Sequence, residues 1–179
     1  MTALGLVGVV ALIAANGYFV AVEFAFVASR RTRFVEQADE GDRRARRALD
    51  VHRRLSFMLS GAQLGITVTT LVLGFIAEPA IAAAIRPGLE AVGIPESASF
   101  GIALIVALVF ATMAQMVFGE LAPKNLAIAK PEPVARRLAP STWLFMKVAA
   151  PIIRLFDGAA NRLLRLIGVE PVEELRGAV

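Results

Sequence analysis

Three stretches of this sequence are almost free of charge, and the side chains that could do chemistry lie inside them. In the first, Asn16 and Glu23 stand seven residues apart, about two helical turns, and so share one face. In the second, Ser60, Gln63, Thr67 and Thr70 form a polar stripe at spacings of three and four. In the third, Thr112 and Gln115 lead into Phe118-Gly119-Glu120-Leu121-Ala122-Pro123-Lys124. Polar and ionisable groups are expensive in lipid, so each is a candidate for function. Gly119 loosens its helix, while Pro123 lacks a backbone donor and its ring displaces the carbonyl of the previous turn. These residues predict a helix broken around Glu120, with freed carbonyls lining a cavity.

The resulting ligand set is made of oxygen alone: carboxylates, amides, hydroxyls and carbonyls. The chain has no cysteine and one histidine, His52, in an arginine-rich segment. That excludes disulfides, thiolate metal sites and thiol nucleophiles. Hard cations such as Mg2+, Ca2+ or Na+ suit such a set, and soft metals do not. No metalloprotease, serine-nucleophile or paired-aspartate motif is present, so an enzyme is not expected. Some of these residues also have a structural reading. Thr70 and Thr112 are expected to bond back to their own helices. Asn16 and Gln63 could pair between helices, and Glu23 could be a neutral structural acid.

The elements that must position these groups follow from where charge is absent. Of 179 residues, 57% are hydrophobic and 19% charged, with a mean hydropathy of +0.67. Only Glu23 is charged between residues 2 and 29, and no charge occurs in 55–77 or 97–119. About 20 apolar helical residues cross a bilayer, so each run is long enough. The fold class is an all-α membrane protein with three transmembrane helices at about 2–29, 55–77 and 97–121. Amphipathic juxtamembrane helices are expected over 30–54, divided at Gly41, and over 132–168. Residues 138–156 carry Lys147, Arg154 and two prolines, and are expected to lie at the interface rather than cross. Gly61, Gly65 and Thr69 recur every four residues, a small-residue stripe for helix packing or for a dimer interface.

Arginines set the orientation. Residues 30–54 hold nine arginines against five acids, 78–96 hold one basic residue against three acids, and 120–179 hold nine basic residues against six acids. Basic loops stay cytoplasmic, which puts the N-terminus outside and the C-terminus inside. The 30–54 segment is expected on anionic lipid headgroups, not on nucleic acid.

At Asn16-Gly17-Tyr18-Phe19-Val20-Ala21-Val22-Glu23-Phe24-Ala25, at Gly61-Ala62-Gln63-Leu64-Gly65-Ile66-Thr67, and at Phe118-Gly119-Glu120-Leu121-Ala122-Pro123-Lys124, the chain resembles the CorC/CNNM family of magnesium and cobalt efflux proteins. The resemblance implies a homodimer that exports Mg2+ from a plasma or inner membrane, with Na+ as a coupling ion. By motif the metal ligands would be Asn16, Glu23, Gln63, Thr67 and Glu120, supported by Gly119, Pro123, Lys124, Gly61 and Gly65. It also implies a transmembrane domain over 1–171. Residues 172–179 would then begin a linker to a cytosolic CBS pair, the only place where ATP would bind. One departure stands out: Asn16, Val20 and Val22 occupy positions where magnesium-exporting relatives often carry serines. A membrane anchor and dimerisation module, acting through a CBS region without moving ions, is the alternative.

Overall fold

The computed structural model describes residues 2–168, without the side chains of Thr2 and Ser97. Every element among the described residues is helical. The order is α1 (Thr2–Ala28), α2 (Arg31–Asp39), α3 (Arg43–His52), α4 (Leu55–Ala91), α5 (Glu96–Ala114), a π-helical segment (Gln115–Leu121), α6 (Ala122–Ala129), α7 (Pro131–Val148) and α8 (Ala150–Leu166). Three stretches are long and apolar enough to cross a membrane: Ala3–Ala28, Leu55–Ala91 and Ala98–Ala129. The expected linker at 172–179 lies outside the described residues.

Two expectations about boundaries change. The second apolar helix does not end near residue 77 but runs to Ala91, through Pro79 and Pro87. Its 37 residues span about 55 Å at 1.5 Å per residue, well beyond a hydrocarbon core of about 30 Å. An i,i+4 pair, in which Arg86 Nε donates to Glu90 Oε1 at 2.8 Å, supports the extension. The third apolar helix does not break at Gly119. A wider π turn over Gln115–Leu121 absorbs the irregularity, and helix resumes through Ala129.

The chain forms two compact units. The first contains residues 2–20 and 65–125, the second 21–64 and 126–168. In the first, Val9, Leu73, Ala77, Ile81, Ala82, Ala103 and Ala107 make the core. Small side chains dominate it, as expected where helices must approach closely in lipid. Only 11% of the apolar window in the Ala98–Ala129 stretch is buried, and Phe100, Ile105, Val109 and Phe110 are exposed. A face of this kind suits hydrocarbon, not water.

The second unit contains the charge-rich helices. Gly41, at φ +94°, turns the chain between α2 and α3, a conformation that glycine adopts without strain. Asp42 caps α3: its Oδ1 accepts from the backbone N–H of Arg44 at 2.7 Å and of Ala45 at 3.3 Å. Its Oδ2 accepts from Arg136 Nη1 of α7 at 3.0 Å, and the same nitrogen donates to Gln37 Oε1 at 3.2 Å. The helix N–H groups, first that of Arg44, hold the Asp42 carboxyl below its ordinary value, helped by the Arg136 charge and opposed by desolvation. Apolar faces close the unit. Phe26 and Phe34 are fully buried, and Ala45, Ala48 and Leu49 of α3 are buried alongside Ala135 and Ala139 of α7.

Candidate functional site

The candidate site is built around Asn16, which is 0% exposed. Pro123 has no N–H to offer the carbonyl four residues back, that of Gly119. The Asn16 side chain donates to that carbonyl from Nδ2 at 3.2 Å. Asn16 Oδ1 in turn accepts from the hydroxyl of Thr69 at 2.9 Å and from that of Thr70 at 3.3 Å. Gln115 Nε2, in the π segment, donates to Thr70 Oγ1 at 3.1 Å. The result is a run of neutral hydrogen bonds, Gln115 to Thr70 to Asn16 to Gly119, that joins α1, α4 and the π segment. Among the described residues no buried side-chain nitrogen or oxygen is left without a partner.

Close backbone approach makes the network possible. A Cβ on Gly17 would lie 3.1 Å from the Phe118 carbonyl oxygen, and one on Gly65 would lie 2.6 Å from the Phe19 ring. Glycine at these places lets α1 seat against the π segment and α4. Gly61, in the second unit, faces Ile153 and Phe145. Both stripe glycines therefore pack inside the chain. Thr112 bonds back to the Leu108 carbonyl at 2.8 Å, as its position predicts. Thr70 does not: its hydroxyl turns to Asn16, while the adjacent Thr69 hydroxyl divides its contacts between Asn16 and the Gly65 carbonyl of its own helix, at 2.8 Å.

The residues expected to bind metal are divided between the two units. Asn16, Thr67 and Glu120 belong to the first, Glu23 and Gln63 to the second. Thr67, Glu120 and Gln63 are exposed, Glu23 is half-buried and Lys124 is half-buried. Val20 and Val22, at the positions where serines were noted, are buried at 5% and 2% exposure. No group of three or more His, Cys, Asp or Glu side chains gathers as a metal site among the described residues. The oxygen atoms assembled in the first unit are therefore amide, hydroxyl and main-chain carbonyl. Thr70 and Gln115 are polar candidates in their runs but not among the implied metal ligands, and Thr69 is expected only in the small-residue stripe. Their pairing, across 45 positions for Gln115 with Thr70 and 53 for Thr69 with Asn16, has no periodic signal in the sequence.

Three helices able to cross a bilayer, joined by a buried polar network, define a multi-pass membrane domain. The family described as the cyclin M transmembrane N-terminal domain, CNNM, matches residues 7–177. UPF0053 protein MT1890 of Mycobacterium tuberculosis is 46% identical over 173 residues, covering 97% of this chain and 38% of the relative. UPF0053 proteins YhdT and YugS of Bacillus subtilis are 39% and 36% identical, each over 97% of this chain and over 37% and 41% of the relative. This chain belongs to the CNNM transmembrane family. It spans about two fifths of the length of the curated relatives it matches.

Proposed function

We propose that the domain carries a divalent cation across the membrane, and that the ion is Mg2+, moved outward and exchanged for Na+. The observation that best supports this reading is the π segment Gln115–Leu121, which sets the Gly119 carbonyl, the Glu120 carboxylate and the Gln115 amide in one short irregular stretch of a spanning helix. Irregular backbone at membrane depth is a recurrent means of offering main-chain oxygen to an ion. Hard cations prefer such ligands, and Mg2+ retains several waters, so a site poor in carboxylates is compatible with it. Glu120 and Glu23 are the carboxylates that would balance its charge. In this reading the protein works as a homodimer with its N-terminus outside and its C-terminus in the cytoplasm, by the distribution of arginines.

A second reading, an anchor and dimerisation module that moves no ion, is favoured by the engagement of both Asn16 amide atoms within the protein. Isothermal titration of the purified domain with Mg2+ tests the first. Saturable heat is expected, and Glu120→Ala should weaken binding at least about tenfold by removing a charged ligand. Absence of heat in the parent, or an unchanged curve in Glu120→Ala, would overturn the site. Flux from proteoliposomes separates the two readings, since an anchor releases no Mg2+ under any Na+ gradient.

A further inference from the structure

The second unit contains a cavity of about 580 Å³ that the transport reading does not use. Four cations line it: Arg53 and Arg54 from the turn before α4, Lys147 from α7 and Arg154 from α8. The only acid among the lining residues is Asp50. Arg53, Arg54 and Arg154 enter no ion pair among the described residues. All four are exposed, and their convergence on one concave surface makes a positive potential that attracts an anion. The rest of the wall is apolar: Phe57, Trp143, Ala150 and the buried Met146. The Arg47 guanidinium lies 4.5 Å from the centre of the Trp143 ring and the Lys147 ammonium 5.4 Å, so two cations contact the indole.

The geometry points to a binding site for the phosphate of an anionic phospholipid headgroup. A free phosphate ester would bring the same charge, but two features select the lipid. Arg53 and Arg54 immediately precede Leu55, the first residue of a stretch apolar enough to span, so the cavity lies where that stretch begins and bilayer phosphates are found. Its lining is also amphipathic: cations for the phosphate, and Phe57, Trp143 and Met146 for the glycerol and the first acyl carbons. The general attraction of an arginine-rich surface to anionic lipid is a separate effect, spread over all exposed cations. The site inferred here is a single one, stoichiometric and saturable, and it does not rest on the transport reading.

Trp143 is the chain's one tryptophan, so its fluorescence reports on this cavity. The test titrates the purified domain, in a neutral detergent, with short-chain phosphatidylglycerol, short-chain phosphatidylcholine and inorganic phosphate. Phosphatidylglycerol should give a saturating change in Trp143 emission at one lipid per chain, with no comparable change from the other two. Arg54→Gln combined with Arg154→Gln should raise the half-saturating concentration at least about tenfold. Arg31→Gln combined with Arg43→Gln removes the same charge from residues that do not line the cavity, and should leave the curve in place. Helix content by circular dichroism checks that all variants fold. An equal effect of the two double variants would reduce the binding to diffuse attraction and overturn the site. Equal binding of phosphatidylcholine, or binding of inorganic phosphate without phosphatidylglycerol, would overturn the lipid assignment.

Discussion

The two units of this chain hold themselves together with different chemistry. In the first, the buried polar contacts between helices are neutral, amide to carbonyl, hydroxyl to amide and amide to hydroxyl around Asn16, and a charged link, Arg86 of α4 with Glu96 of α5 at 2.6 Å, lies on exposed side chains. In the second, the corresponding links include charge: Asp42 with Arg136 between α3 and α7, and Arg47 over Trp143. The difference follows from the solvent each unit meets. A charge within hydrocarbon has no water to fall back on, whereas at an interface its long stem lies on apolar surface and its head remains hydrated. Neutral hydrogen bonds are the only polar glue that a spanning segment can use at modest cost.

The contrast can be broken first at Asn16. Asn16→Leu removes the donor to the Gly119 carbonyl, which Pro123 cannot replace, and leaves that oxygen buried without its partner. A loss of about 3 kcal/mol is expected, at the upper end for an orphaned buried polar group. Thermal unfolding in detergent measures it, and a loss near zero would show that the neutral network is incidental. A smaller effect is expected at Gly65. Gly65→Ala places a methyl 2.6 Å from the Phe19 ring, and overpacking of this kind costs about 2 kcal/mol. The Phe19 ring must shift, so the same unfolding measurement should also show a lowered midpoint, though one less affected than by Asn16→Leu.

The smallest effect is the one that distinguishes the units by pH. The Asp42 carboxyl is held below its unfolded value of about 3.9 by the N–H groups it caps. A depressed carboxyl contributes stability that is present above the unfolded value and lost as pH falls through the folded one. Acidification below about pH 4 should therefore loosen the second unit, and Asp42→Asn should flatten that dependence. Trp143 lies in the second unit, so the pH dependence of its fluorescence transition, compared between parent and variant, reads this directly. The network around Asn16 contains no titratable member and should add nothing to the difference.

Much of the architecture was legible because charge and its absence are recorded residue by residue. The gaps at 55–77 and 97–119 locate spanning helices whatever else the chain does. The extension of α4 was not legible. Glu78, Pro79 and Pro87 look like an ending, yet prolines are tolerated in long helices when neighbours satisfy the freed carbonyls, and the Arg86–Glu90 pair lies beyond the apolar pattern. The irregularity at Gly119–Pro123 was legible, but not its form. Gly and Pro spacing signals strain, while the choice between a break and a widened turn depends on whether another helix supplies a donor. That donor, Asn16, lies 103 residues away. Asn16 itself could be identified as unusual from its surroundings, whereas its two hydroxyl partners depend on the rotation of α4, which only packing decides.

The Asn16 network has one further property, which comes from the order of its protons. Each donor passes its hydrogen in the same sense, from the Gln115 amide to Thr70, from Thr70 to Asn16, and from Asn16 to the Gly119 oxygen. Bonds aligned head to tail polarise one another, drawing electron density back toward the start of the chain. The group at that start is the Gln115 carboxamide, so the N–H that opens the chain and the carbonyl that closes it belong to the same π segment. The two ends of one widened helical turn are thus tied to each other through side chains of two other helices, so a change in the pitch of that turn must stretch or slacken the whole chain.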